Sequence, residues 1–450
     1  MMNHKLTAGI SAALTIATGS IAAEKTPARP NIVVILADDL GFEELGCYGG
    51  AKYKNLGAVR TPNLDAMARE GMLFRYCFST PVCSPARAEL LTGKYNHRSG
   101  FIDIAGRNGA TPSLDTQAHP TVAMQLKAAG YVTAVAGKWH VGPPEDMHEI
   151  PLTAEADTDY PHPRECGFDR QCIIGGAHLE LYGEPKAGAY TPDILQGWAL
   201  RFLESRKGKA EPFFLYYPSP IPHVPLLPTP LNPDGPRGEI KGNFGQNRGD
   251  NANYPYLIEY LDKQVGEVLS KLTELGLREN TLVVFTGDNG THRAITTEMR
   301  DGREIKGGKG MMTDTGSQVP LLAGWPGVIQ AGSRYEGLVD FTDILPTCLE
   351  LAGAKAPGGI DGISFAPQLS GKPGKVREWT HSLLVDKYFV RDAKWKLREN
   401  GRLYDVSKSP RDEIQVNPEN DTPESKAARI RLQAVMDKLH PAKAGDTQMR

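Results

Sequence analysis

Five short runs of apolar residues, many of them β-branched or aromatic, recur along the first three quarters of the chain. Within each run the apolar positions are continuous rather than alternating, which is typical of strands covered on both faces. We therefore expect these runs to be central strands of one sheet. They span residues 31–37, 131–136, 212–217, 281–286 and 319–323.

Amphipathic segments with helix-terminal residues lie between these runs. The pair Thr61-Pro62 suits the start of a helix and Gly71 its end. The clearest pattern, ahead of Gly276, places six apolar residues on one helical face: Leu257, Leu261, Val265, Val268, Leu272 and Leu275. The alternation of strands and helices predicts the α/β fold class, with a large, mainly parallel sheet flanked by helices.

The pattern changes after about residue 357. Residues 388–390 and 395–398 are followed by the turn pair Asn400-Gly401 and by residues 402–406, which predicts an antiparallel hairpin. We expect three parts: a signal peptide over 1–23, a large domain over 24–357 and a small C-terminal α+β antiparallel subdomain over 358–450.

The N-terminal residues have the composition of a secretory signal peptide. Lys5 precedes a run of small and apolar residues that ends in Ser20-Ile21-Ala22-Ala23, directly before the charged Glu24. The run falls short of the roughly 20 apolar residues that a membrane span needs. We expect an exported protein, periplasmic or secreted, with no integral membrane span.

Composition narrows the choice of partners. The formal net charge of −2 and the pI of about 6.6 give no long-range field that would recruit nucleic acid, so we expect no nucleic-acid partner. Six cysteines are too few for a disulfide scaffold in a chain of 450 residues. Cys166 and Cys172 are the one pair that we expect to form a disulfide.

Polar side chains follow four of the five predicted strands. In an open parallel sheet the ligand site lies beyond the carboxyl ends of the strands. An Asp after a strand is usually a turn residue, and a His in a loop is usually solvated, but their joint placement favours a shared site. The candidates are Asp38, Asp39, Lys138, His140, His223, Asp288 and Asn289.

Four of these residues offer oxygen ligands for a metal ion. Asp38, Asp39, Asp288 and Asn289 form a set that suits Ca²⁺ or Mg²⁺ rather than zinc. Three carboxylates crowded together would repel one another without a cation. The alternative is that Asp38-Asp39 and Asp288-Asn289 belong to two unrelated turns that lie apart in the fold, with no metal site.

The segment Cys83-Ser84-Pro85-Ala86-Arg87 predicts a helix start with its own chemistry. Pro85 suits the first position of a helix that Gly93 would end. Cys83 would then lie beside free backbone N–H groups that favour an anion, and Arg87 would add a planar donor fork for a tetrahedral oxyanion. Cys83 has two alternative roles: a small buried apolar residue, or a simple thiol nucleophile.

This segment resembles the hallmark of the type I sulfatases of the alkaline phosphatase superfamily, C-x-P-x-R followed by L-x-T-G, here at residues 83–87 and 90–93. Several blocks in the family's order are far more specific than one five-residue motif, and they cover most of the chain. The further blocks that resemble the family are residues 30–41, 137–140, 222–225, 286–290, 308–310, 391–397 and 403–405.

The resemblance implies a fold like that of alkaline phosphatase and a sulfuric ester hydrolase whose nucleophile is a formylglycine, made from Cys83 by a maturation enzyme. Its hydrate would attack sulfur, and its second hydroxyl would then expel sulfate by collapse to the aldehyde. One Ca²⁺ would contact an oxygen of the modified residue and a sulfate oxygen, together with the four oxygen ligands named above.

The resemblance also implies roles for the basic residues. Arg87, Lys138 and Lys309 would neutralise charge on the sulfuryl group, while Asp288 would take a proton from the attacking hydroxyl. His223 and Lys309 would serve the leaving oxygen, and His140 would assist the elimination as a base. We prefer Lys309 to the nearby Lys306 because glycine lies on both sides of it.

The chain departs from the family in one segment, because residues 314–320 lack an Arg that the family often has there.

The residues that would contact the substrate are less certain to be functional from sequence than the motif residues. Five residues, His292, Arg293, Arg107, Asn108 and His178, could contact a sugar or could be solvated surface.

The long polar loops at 143–163 and 218–253 suit the walls of a substrate cleft. For an exported enzyme with such loops we expect a sulfated carbohydrate as the substrate. An aryl or alkyl sulfate is the alternative. A phosphoester hydrolase of the same superfamily is disfavoured, because those enzymes usually show Ser or Thr as nucleophile and His among the ligands of two zinc-like ions.

Overall fold

The computed structural model describes residues 29–142, 152–175, 190–238, 249–410 and 412–439. The predicted signal peptide and His178 lie outside the described residues. Seventeen strands and eleven α-helices are formed within those ranges. The helices are α1 (Pro62–Glu70), α2 (Cys83–Thr92), α3 (Asn96–Ser99), α4 (Val122–Ala128), α5 (Pro161–Glu165), α6 (Thr191–Ser205), α7 (Tyr254–Glu274), α8 (Asp314–Ser317), α9 (Ile344–Leu351), α10 (Ala366–Leu369) and α11 (Pro423–Leu439).

The strands form three sheets. They are β1 (Asn31–Ala37), β2 (Gly50–Tyr53), β3 (Gly57–Ala58), β4 (Met72–Phe78), β5 (Val132–Lys138), β6 (Arg170–Ile174), β7 (Phe213–Pro218), β8 (Thr281–Gly287), β9 (Thr296–Met299), β10 (Glu304–Lys306), β11 (Gln318–Gly324), β12 (Ser333–Asp340), β13 (Thr380–Leu384), β14 (Lys387–Arg391), β15 (Trp395–Arg398), β16 (Leu403–Lys408) and β17 (Asp412–Val416).

The largest sheet has eight strands in the order β12-β4-β11-β8-β1-β7-β5-β6. All pairs are parallel except those of β11, which runs antiparallel to both of its neighbours. The predicted mainly parallel sheet is therefore confirmed, and the five predicted strands are β1, β5, β7, β8 and β11. The patterns of β4, β6 and β12 were not recognised, because charged residues interrupt them.

The register of the central strands brings the predicted site residues to one edge. Ala37 of β1 pairs with Gly287 of β8, so Asp38 and Asp288 follow at the same height. The backbone N–H of Asp288 donates to the Ala37 carbonyl oxygen at 2.8 Å. On the other side β1 pairs with β7, and β7 with β5, which adds Lys138 to this edge.

The core consists of two apolar layers, one on each face of the large sheet, because successive strand residues point to opposite faces. Ile32, Val34 and Leu36 lie in one layer, and Val33 and Ile35 lie in the other. A sheet with both faces covered by apolar side chains accounts for the continuous apolar runs in the sequence.

The expected disulfide between Cys166 and Cys172 is wrong, since both cysteines are free and buried. Cys166 belongs to one layer of the core and Cys172, on β6, to the other. The Cys166 sulfur lies 3.8 Å from Nδ1 of His162, whereas the Cys172 thiol donates to the Thr153 carbonyl oxygen at 3.6 Å. The body of the sheet therefore separates the two sulfurs.

The C-terminal residues form a five-stranded antiparallel meander, β13 to β17, covered by α11. The predicted hairpin is confirmed as β15 and β16, and Gly401 in its turn has a φ of +75°. A further four-stranded antiparallel sheet, β10-β9-β2-β3, was not predicted because its strands are only two to four residues long. In the described ranges, no helix combines the length and the apolarity that crossing a membrane requires.

Candidate active site

Cys83 heads α2 at the edge of the sheet where β1, β8 and β5 end. The preceding residue, Val82, is extended and gives the helix no side-chain cap. Cys83 is 1% exposed, and every residue of α2 is buried. The nucleophile position is therefore a helix N-terminus inside the protein, where backbone N–H groups and the helix dipole favour an anion.

The carboxylates of Asp38 and Asp39 lie beside this sulfur. One ligand atom from each of Asp38, Asp39, Cys83 and His223 lies within 4.8 Å of the other three. Asp39 has a φ of +68°, a left-handed conformation that Asp tolerates better than most residues. The sequence placed Asp38, Asp39 and Cys83 in one site, and the structure brings them together.

Asp288 and Asn289 close the site from β8. Oδ1 of Asp288 accepts from the backbone N–H of Asp39 at 3.0 Å. The Asn289 side-chain amide donates to Oδ1 of Asp39 at 2.9 Å, which leaves its own Oδ1 free. Asn289 Oδ1 and Asp38 Oδ1 are both buried without a hydrogen-bond partner in the described part of the chain.

Two lysines neutralise this group of acids. The Lys138 ammonium donates to Oδ2 of Asp38 at 2.6 Å. The Lys309 ammonium lies 2.6 Å from Oδ1 of Asp39 and 3.6 Å from the Cys83 sulfur. Lys306, the rejected alternative, is exposed on β10. The preference for Lys309 therefore agrees with its place in the structure.

The Arg87 guanidinium links the ends of two strands. It donates to Oδ2 of Asp288 at 2.8 Å and to the Lys138 carbonyl oxygen at 2.6 Å, and it is fully buried. These contacts fix the position of the Asp288 carboxylate relative to β5. In the described structure Arg87 therefore organises the acids that surround the Cys83 pocket.

Two histidines border the same group. Nδ1 of His223 donates to the Val224 carbonyl oxygen, and its Nε2 lies 3.7 Å from Oδ2 of Asp39. His140 has a φ of +58°, and its Nδ1 is buried with no hydrogen-bond partner among the described residues. Both rings therefore keep at least one nitrogen available at the site.

Burial and neighbouring charges raise the pKa values of some of these groups and lower those of others. Burial, helped by the neighbouring Asp38, raises the pKa of Asp288 to about 7. Burial alone would also raise the pKa of Asp38, but Lys138 and His223 hold it well below its usual value. Burial lowers the pKa of His223 to about 4 and raises that of the Cys83 thiol to about 12.

The candidate substrate residues lie on two loops that contact the segments carrying Lys309 and Cys83. His292 and Arg293 follow Thr291, whose carbonyl oxygen accepts from the Lys309 backbone N–H at 3.0 Å. His292 is half-buried and Arg293 is exposed. Arg107 and Asn108 are also exposed, on a loop whose Ala105 N–H donates to the Ser84 hydroxyl at 3.3 Å.

One buried acid near the site was missed from the sequence. Glu44 accepts hydrogen bonds from the hydroxyls of Thr291 and Thr297, at 3.0 and 2.9 Å, and the Gly41 N–H donates to the Thr291 hydroxyl. This chain of contacts connects the segment after β1 to the Lys309 loop. Two adjacent glutamates in an otherwise apolar stretch were the available signal.

A second buried acid that was not predicted lies in residues 314–320, the segment that lacks the Arg often found in the family. Asp314, fully buried at the start of α8, pairs with Arg391 and with Lys396, the latter at 2.5 Å. Its backbone N–H donates to Glu413 at 2.6 Å. The cations that satisfy Asp314 thus come from the C-terminal sheet.

The fold and the motifs around Cys83 define a sulfatase of the alkaline phosphatase superfamily. The chain belongs to the Sulfatase family, whose profile matches residues 30–354, and it is accordingly a hydrolase of sulfate esters. A profile for the C-terminal part of N-sulphoglucosamine sulphohydrolase matches residues 308–438.

Individual relatives agree with this assignment. N-acetylgalactosamine-6-sulfatase of Canis lupus familiaris is 33% identical over 386 residues, which are 80% of this chain and 69% of the relative. Arylsulfatase A of Homo sapiens is 33% identical over 389 residues, 80% of this chain and 71% of the relative. The crystal structure of Ps i-CgsB in complex with k-i-k-neocarrahexaose has a TM-score of 0.71 at 26% identity and covers 91% of this chain and 92% of that one.

Proposed function

We propose that this chain is an exported, calcium-dependent sulfatase that removes sulfate from a sulfated carbohydrate through a formylglycine made from Cys83. The observation that carries the proposal is the shared pocket of Cys83, Asp38, Asp39 and Lys309. Residues 24–357 would form the catalytic domain, and residues 358–450 the small subdomain. A maturation enzyme that oxidises Cys83 is the implied partner.

Asp38, Asp39, Asp288 and Asn289 are the residues that would hold Ca²⁺. The buried, unpartnered Oδ1 atoms of Asp38 and Asn289 fit this ion, because hard cations take oxygen ligands of these types. When bound, Ca²⁺ would supply positive charge that offsets the crowded carboxylates and the charge of the sulfate group.

The residue at position 83 would supply the nucleophilic oxygen as the hydrate of an aldehyde. Its place at the N-terminus of α2 directs backbone N–H groups toward an oxyanion. Lys138 and Lys309 add two ammonium groups on the carboxylate side of the pocket. This arrangement supports stabilisation of the negative charge that spreads over a transferring sulfuryl group.

The remaining polar groups would handle protons. Asp288, held by Arg87, would accept the proton of the attacking hydroxyl. His223 and Lys309 would serve the leaving oxygen as acid or hydrogen-bond donor, and His140, with its unpartnered Nδ1, would act as base when sulfate is released. The bond between Nδ1 of His223 and Val224 leaves Nε2 as the nitrogen that exchanges a proton.

A sulfated carbohydrate is the substrate that the relatives favour. The names N-acetylgalactosamine-6-sulfatase and k-i-k-neocarrahexaose refer to sulfated sugars or a saccharide ligand. His292 and Arg293 beside the Lys309 loop, with Arg107 and Asn108 on the loop that contacts Ser84, would contact the sugar. The likeness to arylsulfatase A makes an aryl or alkyl sulfate the second candidate.

A substrate screen tests the proposal. Sulfated monosaccharides and oligosaccharides are compared with an aryl sulfate, and released sulfate is measured. We expect release from at least one carbohydrate, and we expect Cys83→Ala to abolish it. An unimpaired Cys83→Ala variant would rule out the mechanism. Mass spectrometry of the peptide around Cys83 checks the conversion of the thiol to an aldehyde independently, in protein from a host that performs the oxidation.

A further inference from the structure

A pocket rich in arginine lies away from the candidate active site. It has a volume of about 320 Å³ and is bordered by α1, by the start of β12, by the turn at Gly46 and by the residue after β9. Three of its lining residues are Arg69, Arg300 and Arg334. The pocket is therefore a concave surface at which three of the ten lining residues are arginines.

The positive charge of these arginines is largely uncompensated. In the described ranges Arg69 and Arg300 have no ion-pair partner. Nε of Arg334 lies 3.7 Å from Glu336, but both side chains are more than half exposed, so water screens that pair. Glu336 also pairs with Arg75 at 3.1 Å, which divides its charge between two cations.

The one acid that lines the pocket is already engaged. Oδ1 of Asp65 accepts from the Cys47 N–H at 2.6 Å and from the Thr61 hydroxyl at 3.2 Å. Ser333 also lines the pocket. The lining thus includes three arginines and a single carboxylate, which has its own partners.

The pocket lies at the opposite end of the sheet from Cys83. Leu73, near the start of β4, lines it, and β4 then runs to Phe78, shortly before the Cys83 helix. At about 3.3 Å per residue, a seven-residue strand separates the two ends by roughly 20 Å. A group bound here is consequently not the ester that is being cleaved.

We propose that this pocket is a second anion-binding site, which takes a sulfate group of a polyanionic glycan at a distance from the reacting ester. The glycan part rests on the proposed function, whereas the affinity for sulfate does not. Guanidinium forks bind tetrahedral oxyanions with two parallel hydrogen bonds. Arginines around an open pocket also attract a charged chain over a longer range.

The binding experiment uses hydrogen–deuterium exchange of the full chain with sodium sulfate, with a chondroitin sulfate hexasaccharide, or with sodium chloride at equal ionic strength. The double variant Arg69→Gln/Arg334→Gln removes two pocket charges. Arg402→Gln/Lys408→Gln, with both positions exposed on the C-terminal hairpin, is the control with the same net charge. We expect sulfate or the hexasaccharide to protect peptides over 65–71 and 331–335 in wild type and control, and not in the pocket variant.

Kinetics then separate the pocket from the active site. For a sulfated oligosaccharide substrate, we expect the pocket variant to raise KM about tenfold with kcat unchanged, and to leave an aryl sulfate unaffected. Equal losses on both substrates, or wild-type kinetics on both, would overturn the glycan role. Absence of protection at 65–71 and 331–335 with both probes would overturn the site itself. A wild-type enzyme that releases no sulfate refutes the proposed function and leaves the exchange result standing.

Discussion

Lys309 and Lys306 are three positions apart, yet only one of them reaches the site. The Lys309 ammonium contacts both Asp39 and Cys83, and its side chain is 17% exposed. Burial alone would lower its pKa, but Asp39 holds the pKa of Lys309 above its usual value. Lys309 therefore carries a permanent positive charge where the sulfate ester would bind.

We expect Lys309→Ala to reduce kcat/KM for a sulfate ester by about 10²- to 10³-fold, the usual effect of losing one charge-stabilising donor. Lys306→Ala is the matched control and should retain wild-type kinetics, because Lys306 is exposed on β10. Steady-state assays of sulfate release compare the two variants. Equal activity of both would contradict the assigned place of Lys309.

Removing the cation provides a second test at this scale. Because three carboxylates share one buried corner, we expect a chelator to lower both the activity and the thermal unfolding midpoint. Added Ca²⁺ should restore both, since the four proposed ligands are oxygen donors. Activity and midpoint are measured before chelation, after it, and after Ca²⁺ is added. No change on chelation would argue against the metal site.

At the scale of elements, the C-terminal sheet holds the loop that carries Lys309. Arg391 and Lys396 pair with Asp314, and Arg398 donates to the Met312 carbonyl oxygen at 2.9 Å. On its other side this loop donates from the Gly310 N–H to the Pro81 carbonyl oxygen at 2.8 Å. Elements from both ends of the chain thus set the distance between Lys309 and Cys83.

We expect Asp314→Asn to destabilise the protein by about 3–5 kcal/mol, because it leaves buried cations without their counter-charge. Arg431→Gln breaks a pair in which the arginine is 53% exposed and should change stability by less than about 0.5 kcal/mol. Urea unfolding followed by fluorescence compares the variants. Similar midpoints for both would show that the Asp314 network does not stabilise the fold.

The elements that could be predicted are those with a strong local signal. The continuous apolar runs identified β1, β5, β7, β8 and β11, since burial on both faces leaves few polar positions. The helix α2 could be placed because Pro85 favours a helix start and Gly93 follows its last residue, but the helix begins two residues before Pro85, at Cys83. Edge strands such as β12 alternate with charged residues, and nothing local separates them from loops.

The residues of the candidate site that could be predicted are those that follow a strand or belong to a recognisable motif. Asp38, Asp288 and Lys138 come together because parallel strands deliver their carboxyl ends to one edge. The partners of Asp314 could not be predicted, because Arg391 and Lys396 lie on another sheet and only packing brings them close. The same reason accounts for the wrong disulfide, since spacing along the chain does not report the face on which a cysteine lies.

At the scale of the whole molecule, two histidines lie where the large sheet's helices meet the C-terminal meander. Burial, with Arg98 nearby, lowers the pKa of His97 to about 4. Burial, with His97 nearby and Asp361 opposing, lowers that of His381 to about 3. Their rings are 5.3 Å apart. Both rings are therefore neutral in the folded protein at neutral pH.

The unfolded chain takes up these protons near pH 6.5, whereas the folded protein takes them up only near pH 4 and below. Because the unfolded state binds more protons at these two histidines in this window, their contribution to stability should fall as the pH drops from about 6.5 toward 4. We expect His97→Gln to reduce this dependence. The urea unfolding midpoints of wild type and His97→Gln are measured at pH 7.5 and pH 5. An equal decrease of the midpoint in both proteins would contradict the role given to His97.

The complete burial of α2 has a consequence for the order of events in the life of this protein. If a maturation enzyme converts Cys83 as proposed, it needs access to a side chain that is 1% exposed, on a helix whose residues are all buried. Under that proposal the oxidation would take place before the chain has folded. Protein that folded first would then keep its thiol and lack the nucleophile.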